Sequence, residues 1–305
     1  MRLARYLYAG EKSWGVVDPD TGTVRRIRGA FEQWAPAVTS GDLTAIESDA
    51  EPVALGAVKL LAPLAPTSEI AGVGLNWTSG VVPPEGSDGP VYNKPLSSIT
   101  DPGETLRFPD LISVQPQARY GYEIQLALVF GTLEIDETDP LGAVLGYTIA
   151  NDGTLRHGIS SFVGEDLFGA KSGYQGSSLG PWIVTRGEFE QQTDHTLTTR
   201  VNGTVVQQGS TKEMRLSLDD TIREVFHRMV LTTGDVLLTG TPGYLAPYQG
   251  IALPGDRLEL EISGIGVLRN HVQDTNPYPV HESQRWGGAG SLPGVLPVPV
   301  GGPQT

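Results

Sequence analysis

The stretch YEIQLALVFG, residues 122–131, decides the fold class of this chain. Residues two apart in a β-strand lie on the same face. One face of this strand is apolar throughout and is formed by Tyr122, Ile124, Leu126, Leu128 and Phe130. The other face begins with two polar residues, Glu123 and Gln125. The polar pair has two interpretations: a strand start that is still solvated, which the sequence alone favours, or a polar site on a buried strand.

Short apolar runs of the same kind recur along the chain, each bounded by Gly, Pro, Asn or Asp. The predicted strands cover residues 3–8, 14–17, 70–75, 113–116, 122–130, 145–151, 181–185, 196–201, 235–239, 257–262 and 266–272. The 39 glycines and 23 prolines fit the many turns that such strands need. Because strands do not alternate with long helices, the pattern predicts a β-sandwich or barrel-like body and disfavours a doubly wound α/β sheet.

Two helices are predicted among these strands. One has apolar residues at i, i+3, i+4 and i+7, namely Ile222, Val225, Phe226 and Met229. Ser217, three residues before Asp220, resembles the capping box that starts a helix. The other predicted helix covers residues 41–48 in the N-terminal part of the chain. Residues 83–90 and the Gly- and Pro-rich stretch after residue 286 are expected to be loops.

The composition excludes several classes of protein. The 21 basic and 35 acidic residues give a net charge of −14, which argues against nucleic-acid or anionic-membrane partners. The chain has no cysteine, so disulfides, thiolate nucleophiles and zinc–thiolate sites are excluded. No apolar run reaches the roughly 18 residues of a membrane span. The N-terminus does not resemble a signal peptide, and we therefore expect a cytoplasmic protein.

A few polar residues stand at the ends of the predicted strands. Asp152 follows the strand at 145–151, and with Glu123 and Gln125 it could supply three oxygen ligands to Mg²⁺ or Mn²⁺. Lys94 and Lys171 could bind a carboxylate or an enolate. The turn TGTPG, residues 239–243, offers the Thr241 hydroxyl and backbone N–H groups to an oxyanion.

The order of these segments resembles the fumarylacetoacetate hydrolase superfamily over residues 68–272. The resemblance is carried by GVGLNW (72–77), NKPLS (93–97), YEIQLALVFG (122–131), GYTIANDGTLR (146–156), Lys171, LGPWIVT (179–185), VNG (201–203), GDVLLTGTP (234–242) and GDRLELEISGIGVLRN (255–270). It implies an α+β fold, a mixed β-roll or β-sandwich with flanking helices. It also implies a small N-terminal domain at 1–62, a catalytic domain at 68–274, a Pro/Gly-rich tail at 275–305, and a homodimer.

The resemblance also implies a divalent metal site. Glu123 and Asp152 match two of the three acidic metal ligands of the family, and Gln125 stands where the family has a second glutamate. Loss of that carboxylate weakens Mg²⁺ or Mn²⁺ binding or abolishes it, because hard cations prefer charged oxygens. Both alternatives, a weakened metal site and no metal, stay open at the level of sequence.

Other family positions are retained or lost one by one. Lys94 and Lys171 match the family's active-site lysines, and Thr241 matches its substrate-contacting threonine. Trp77, which replaces the usual tyrosine, and Arg156 are further predicted substrate contacts. The family's water-activating histidine and glutamate correspond to Gly80 and Pro83, so hydrolysis is not expected.

Three functions remain on this basis. The leading hypothesis is an enzyme that stabilises the enolate of an oxo-acid or 1,3-dicarbonyl compound and catalyses decarboxylation, isomerisation or C–C cleavage without hydrolysis. The first alternative is a metal-independent cyclase or rearrangement enzyme of a biosynthetic, natural-product pathway. The second alternative is a binding protein that keeps the fold and has lost the chemistry.

Overall fold

The computed structural model describes residues 1–49, 51–80, 83, 89–107, 118–157, 167–172 and 175–273. The predicted strand at 113–116 and the predicted tail at 275–305 lie outside these ranges, as does most of the predicted loop at 83–90.

The described residues contain short strands throughout. The strands before residue 107 are β1 (Arg2–Tyr8), β2 (Glu11–Asp18), β3 (Thr23–Ile27), β4 (Val53–Ala54), β5 (Lys59–Leu61), β6 (Ile70–Val73), β7 (Val91–Lys94), β8 (Ile99–Thr100) and β9 (Thr105–Leu106). The later strands are β10 (Ala118–Gly121), β11 (Ile124–Phe130), β12 (Val144–Asn151), β13 (Thr154–His157), β14 (Ser177–Thr185), β15 (Thr196–Val201), β16 (Thr204–Ser210), β17 (Val236–Leu238), β18 (Arg257–Ile262) and β19 (Gly266–Val272).

Helices are short and lie between the strands. The α-helices are α1 (Phe31–Thr39), α2 (Leu167–Lys171), α3 (Arg186–Phe189) and α4 (Leu218–Phe226). Single 3₁₀ turns cover Leu43–Ala45, Leu55–Ala57, Leu96–Ser98, Pro140–Ala143 and Thr211–Glu213. Among these residues no helix is long and apolar enough to cross a membrane.

The strands form one large mixed sheet and two smaller ones. The large sheet has the order β4-β3-β2-β1-β14-β12-β11-β17-β6-β7, with β5 paired to β1 and β8 paired to β14. A five-stranded sheet has the order β16-β15-β18-β19-β9, and β10 pairs with β13 in a ribbon. The α+β mixed-sheet class predicted from the sequence is confirmed.

Strand β11 lies in the centre of the large sheet, with both faces covered. Its Tyr122-to-Phe130 face belongs to a core shared with the five-stranded sheet and helix α4. Ala127 and Val129, on the other face, belong to a second core that contains residues of helix α1. The alternation predicted for residues 122–130 is therefore confirmed, and it separates two cores rather than core from solvent.

The two helix predictions have different outcomes. Helix α4 begins after Ser217, whose hydroxyl accepts the Asp220 N–H, as the capping pattern indicates. The predicted helix at 41–48 is wrong, because Gly41 has a φ of +94° and only a 3₁₀ turn follows it. The helix of this region is α1, whose buried residues are Phe31, Trp34, Ala35 and Val38. Burial of that stripe outweighs the hydrogen bond lost at Pro36 inside the helix.

The N-terminal segment joins the large sheet. Strand β1 pairs antiparallel with β14, with Arg2 opposite Val184 and Leu3 opposite Ile183. The hairpin between β1 and β2 turns through Ala9 and Gly10, both with positive φ, which suits a two-residue turn between twisted strands. The division of the chain at residues 62–68 stays a prediction.

Candidate active site

The two carboxylates meet where β11 begins and β12 ends. The strands are antiparallel with Ile124 opposite Asn151, and the Asp152 N–H donates to the Glu123 carbonyl at 2.9 Å. This register makes Glu123 and Asp152 neighbours, with Gln125 two residues along on the same face. Glu123 is 5% exposed, Gln125 1% and Asp152 0%. The interpretation of a solvated strand start is wrong, and these three residues form a buried polar cluster.

Lys171 lies between the carboxylates. It ends helix α2 and is 1% exposed. Its Nζ lies 2.9 Å from Glu123 Oε2, 2.7 Å from Asp152 Oδ2 and 2.8 Å from Thr154 Oγ1. It also lies 4.9 Å from the centre of the Tyr92 ring. Three oxygen acceptors match the three N–H bonds of an ammonium group, so the geometry suits a charged lysine.

Lys94 approaches the same cluster from strand β7. Its Nζ lies 3.0 Å from Asp152 Oδ1 and donates to the carbonyl of Gly153 at 3.1 Å. It also donates to the Lys171 carbonyl, at the end of helix α2. A cation at the carboxyl end of a helix is favourable, and this lysine ties the helix to the cluster.

Charge and burial shift the pKa values of these groups in opposite directions. Burial alone would raise the pKa of Asp152, but the ammonium groups of Lys171 and Lys94 lower it to about 2. Burial lowers the pKa of Lys171, but Asp152 and Glu123 outweigh it, so the pKa stays above its ordinary value. Burial dominates at Lys94 and lowers its pKa. Burial also raises the pKa of Tyr92, whose hydroxyl donates to Asp152 Oδ2 at 2.5 Å.

The Gln125 amide has its orientation set by two neighbours. Its Oε1 accepts the backbone N–H of Gly240 at 2.7 Å. Its Nε2 donates to Asp152 Oδ2 at 2.8 Å and faces Glu123 Oε2 at 3.3 Å. Gly240 has a φ of +84°, a conformation that favours glycine. The predicted metal ligand thus presents hydrogen-bond donors to the carboxylates.

Arg156, on β13, borders the cluster and is more exposed than the lysines. Its Nη2 lies 3.2 Å from Glu123 Oε1 and 3.0 Å from the Tyr244 hydroxyl, and its Nη1 donates to the Gln249 carbonyl at 2.8 Å. The side chain is 20% exposed. These contacts fix the guanidinium plane beside Glu123, and the role of Arg156 as a substrate contact stays a prediction.

Thr241 lies in the loop after β17 and is half-buried. Its Oγ1 accepts a hydrogen bond from Gln207 Nε2 at 2.8 Å, and the same amide nitrogen donates to the Pro242 carbonyl at 2.6 Å. A carbonyl can only accept, so the Gln207 NH₂ group must face this loop. The Thr241 oxygen therefore accepts a hydrogen bond from Gln207, which leaves the Thr241 O–H available to donate to another acceptor.

Trp77 and Gly80 lie close to the same loop. Trp77 is 1% exposed and packs in the core that β11 shares with the five-stranded sheet and helix α4. Its contact with substrate stays a prediction. A Cβ added at Gly80 would lie 3.8 Å from Gly243 N and from the Thr241 carbonyl. The position that matches the family's histidine therefore borders the predicted substrate-contacting loop, and among the described residues nothing lies closer than 3.8 Å to such a Cβ.

A divalent metal, which the family resemblance implies, does not fit this arrangement of donors. Asp152 Oδ2 already accepts hydrogen bonds from Tyr92, Gln125 and Lys171. Glu123 Oε2 accepts from Lys171. Gln125 offers N–H instead of an oxygen lone pair. In the described part of the chain no group of three or more metal-binding acidic or histidine side chains occurs.

Several residues of the cluster were missed at the level of sequence. They are Tyr92 and Thr154 within the cluster, and Gln207 and Tyr244 beside it. Tyr92 lies two residues before Lys94, and Thr154 lies two residues before Arg156, so alternation along β7 and β13 could have indicated both. Gln207 and Tyr244 have no such signal, because only the fold brings their strand and loop to the site.

Comparison with known proteins places most of the chain in one family. Residues 71–273 match the model of the fumarylacetoacetate (FAA) hydrolase C-terminal domain. Residues 1–63 match the model of an Rv2993c-like N-terminal domain. An uncharacterized protein of Staphylococcus saprophyticus is 30% identical over 223 residues, which cover 71% of this chain and 72% of that protein.

Solved structures agree with the family match. The 5-carboxymethyl-2-hydroxymuconate delta-isomerase of Mycobacterium smegmatis is 27% identical with a TM-score of 0.71, covering 90% of this chain and 99% of its own. The 2-hydroxyhepta-2,4-diene-1,7-dioate isomerase of Mycobacterium marinum is 26% identical with a TM-score of 0.68, covering 90% and 98%.

A further structure shares the fold and contains a metal. The maleylpyruvate hydrolase of Sphingobium sp. SYK-6, solved with manganese (II) and pyruvate, is 22% identical with a TM-score of 0.69, covering 90% of this chain and 99% of its own. The family model matches residues 71–273, and these include the buried carboxylate–lysine cluster. The chain therefore belongs to the fumarylacetoacetate hydrolase family.

Proposed function

We propose that this chain is an enzyme that stabilises the enolate of a small anionic oxo-acid or 1,3-dicarbonyl compound and catalyses isomerisation or decarboxylation without hydrolysis. The observation that carries the proposal is the ammonium of Lys171, which Glu123 and Asp152 hold in a buried position at 2.9 and 2.7 Å. A cation that is fixed before the reaction stabilises developing negative charge with little reorganisation.

The cations differ in exposure, which suggests a division of roles. Arg156 is 20% exposed, whereas Lys171 is 1% exposed. We assign Arg156 and the Thr241 hydroxyl to binding the substrate carboxylate. Lys171, whose three N–H bonds are taken by protein oxygens, would stabilise the enolate through its positive charge rather than through a hydrogen bond. Lys94 holds Asp152 and helix α2 in place, so it acts as a positioning residue.

Hydrolysis is disfavoured by the residues at the dyad positions. Attack by water needs a general base within hydrogen-bond reach of that water. Gly80 and Pro83 stand where the family has histidine and glutamate, and neither can accept a proton. Isomerisation has the further support that two of the similar structures, each more than 25% identical to this chain, carry isomerase names.

We also propose that the protein is a homodimer in the cytoplasm with a small-molecule substrate.

A metal-independent cyclisation or rearrangement in a biosynthetic pathway is the second candidate. The Gln125 amide favours it, because the site loses one carboxylate and gains N–H donors. Positioning and shape can drive such reactions without a metal or a strong base. This candidate shares the cluster with the first and differs in substrate.

Substrate assays test the proposal. The enzyme is incubated with oxaloacetate in the presence of a chelator. Loss of the enol absorbance measures isomerisation, and formation of pyruvate measures decarboxylation. Hydrolysis of acetopyruvate is measured in parallel. We expect enol loss or pyruvate formation by the wild type, none by Lys171→Met, and unchanged rates for Lys212→Met, whose side chain is 65% exposed. Acetopyruvate hydrolysis as the fastest reaction would overturn the proposal. Turnover of neither compound would also overturn it, in favour of the cyclase or of a binding protein.

A further inference from the structure

We infer that Lys171 and the Gln125 amide replace the divalent metal in this chain, so that the site has a built-in cation and does not need a bound ion. Two features of the site support this replacement whatever the substrate is: the orientation of the Gln125 amide and the position of the Lys171 ammonium.

The orientation of Gln125 is fixed at both ends of its amide. Reversal would place the NH₂ group against the Gly240 N–H at 2.7 Å, donor facing donor. It would also place the amide oxygen against Asp152 Oδ2 at 2.8 Å, acceptor facing acceptor. Both contacts are buried, where an unsatisfied polar group costs about 1–3 kcal/mol. Gln125 therefore cannot turn its oxygen toward an ion at the carboxylates while Gly240 keeps its place.

The ammonium of Lys171 contacts the two carboxylates that match the family's metal ligands. Its Nζ lies within 3 Å of Glu123 Oε2 and Asp152 Oδ2, and Thr154 Oγ1 completes a three-oxygen set. The helix that carries Lys171 is held by the hydrogen bond from Lys94 to the Lys171 carbonyl. The lysine is thus anchored through both its backbone and its side chain.

The charges of the central groups agree with this arrangement. Among the described residues, the carboxylates of Glu123 and Asp152 face the ammonium groups of Lys94 and Lys171. A divalent ion would add two positive charges to this buried set, unless a lysine left. A glutamate at position 125 would instead add the negative charge that an ion requires. The residue at position 125 therefore decides between the two kinds of site: glutamine suits the ammonium of Lys171, and glutamate would suit a divalent ion.

The test is titration with Mn²⁺ alone and with Mn²⁺ plus oxalate, read by electron paramagnetic resonance of free Mn²⁺ and by calorimetry. The proteins are chelator-stripped wild type, Gln125→Glu, and Gln208→Glu, which adds the same charge at an exposed residue. We expect Gln125→Glu to bind Mn²⁺ at least about tenfold more tightly than the wild type. We expect Gln208→Glu to behave as the wild type does.

Micromolar Mn²⁺ binding by the wild type, or equal affinities for the wild type and Gln125→Glu, would overturn the inference. Should Gln125→Glu fail to fold by circular dichroism, the wild-type titration decides alone. A wild type that binds Mn²⁺ and turns over oxaloacetate would contradict this inference and leave the proposed function intact. A wild type that binds no Mn²⁺ and turns over neither compound would support this inference and contradict the proposed function.

Discussion

The backbone N–H of Gly240 donates to Gln125 Oε1 at 2.7 Å, and this hydrogen bond decides which end of the amide faces the carboxylates. The two residues are 115 positions apart in the chain and meet because β17 pairs with β11. A glutamine in the place of a metal-binding glutamate thereby becomes a hydrogen-bond donor to Asp152. The cluster is consequently organised around an ammonium group.

Replacing Lys171 with methionine should lower both stability and activity. Removal of the ammonium leaves two buried carboxylates without their shared cation, and breaking a buried ion pair costs about 3–5 kcal/mol. Urea unfolding measures this loss. Lys212→Met is the control, because its pair with Asp194 is exposed to solvent and should contribute little to stability. Similar free energies of unfolding for the two variants would contradict the buried-pair account.

The contribution of Asp152 to stability should depend on pH with a definite sign. Its pKa in the folded protein is about 2, below its ordinary value of 3.8. A depressed pKa stabilises the fold above the unfolded value, and the gain of about 2 kcal/mol is lost as pH falls from about 4 to about 2. We expect the stability gap between the wild type and Asp152→Asn to be widest at neutral pH and to narrow below pH 4. Denaturant titrations at several pH values measure it, and a constant gap would rule out this origin.

Substitutions of Thr241 should distinguish the contribution of its hydroxyl to ligand binding from the contribution of its side-chain shape. Since Gln207 donates to the Thr241 oxygen, the Thr241 O–H does not donate to Gln207 and can donate to a ligand. Thr241→Val should weaken oxalate binding about tenfold, because one hydrogen bond to a charged group is lost. Thr241→Ser should stay close to the wild type. Calorimetry with oxalate is the measurement, and equal losses in both variants would mean that the hydroxyl makes no such bond.

Gly240→Ala should destabilise the protein and loosen Gln125. The φ of +84° costs an L-residue about 1–2 kcal/mol, and the new Cβ would lie 3.0 Å from the Val73 carbonyl. Gly187→Ala is the matched control, because in the described part of the chain nothing lies within 4 Å of its Cβ position. We expect a lower melting temperature and weaker oxalate binding for Gly240→Ala alone. A melting temperature equal to that of the control would show that the backbone at this position is not constrained.

The sequence was sufficient for the fold class and for the central strand. Alternation in YEIQLALVFG correctly separated the two faces of β11, and the spacing in helix α4 with its Ser217 cap correctly located that helix. Helix α1 was missed although its apolar stripe is complete, because Pro36 inside it disfavours a helix, and the helix predicted at 41–48 was wrong because Gly41 turns the chain. Local patterns were reliable where no proline or glycine opposed them.

The candidate site was only partly predictable. Glu123, Gln125, Asp152, Lys94 and Lys171 were all named from the sequence, and the structure brings them together. The direction of the Gln125 amide was not predictable, because its partner Gly240 is distant in sequence. The support of Thr241 by Gln207 was likewise hidden, since it depends on packing between β16 and the loop after β17.

The most direct test of the central claim is a crystal structure of the wild type grown with Mn²⁺ and oxalate, with anomalous scattering recorded for manganese. We expect no manganese peak between Glu123 and Asp152, Lys171 Nζ within hydrogen-bond distance of both carboxylates, and oxalate beside Arg156 and Thr241. A manganese ion bound by Glu123 and Asp152, with Lys171 displaced from them, would contradict it.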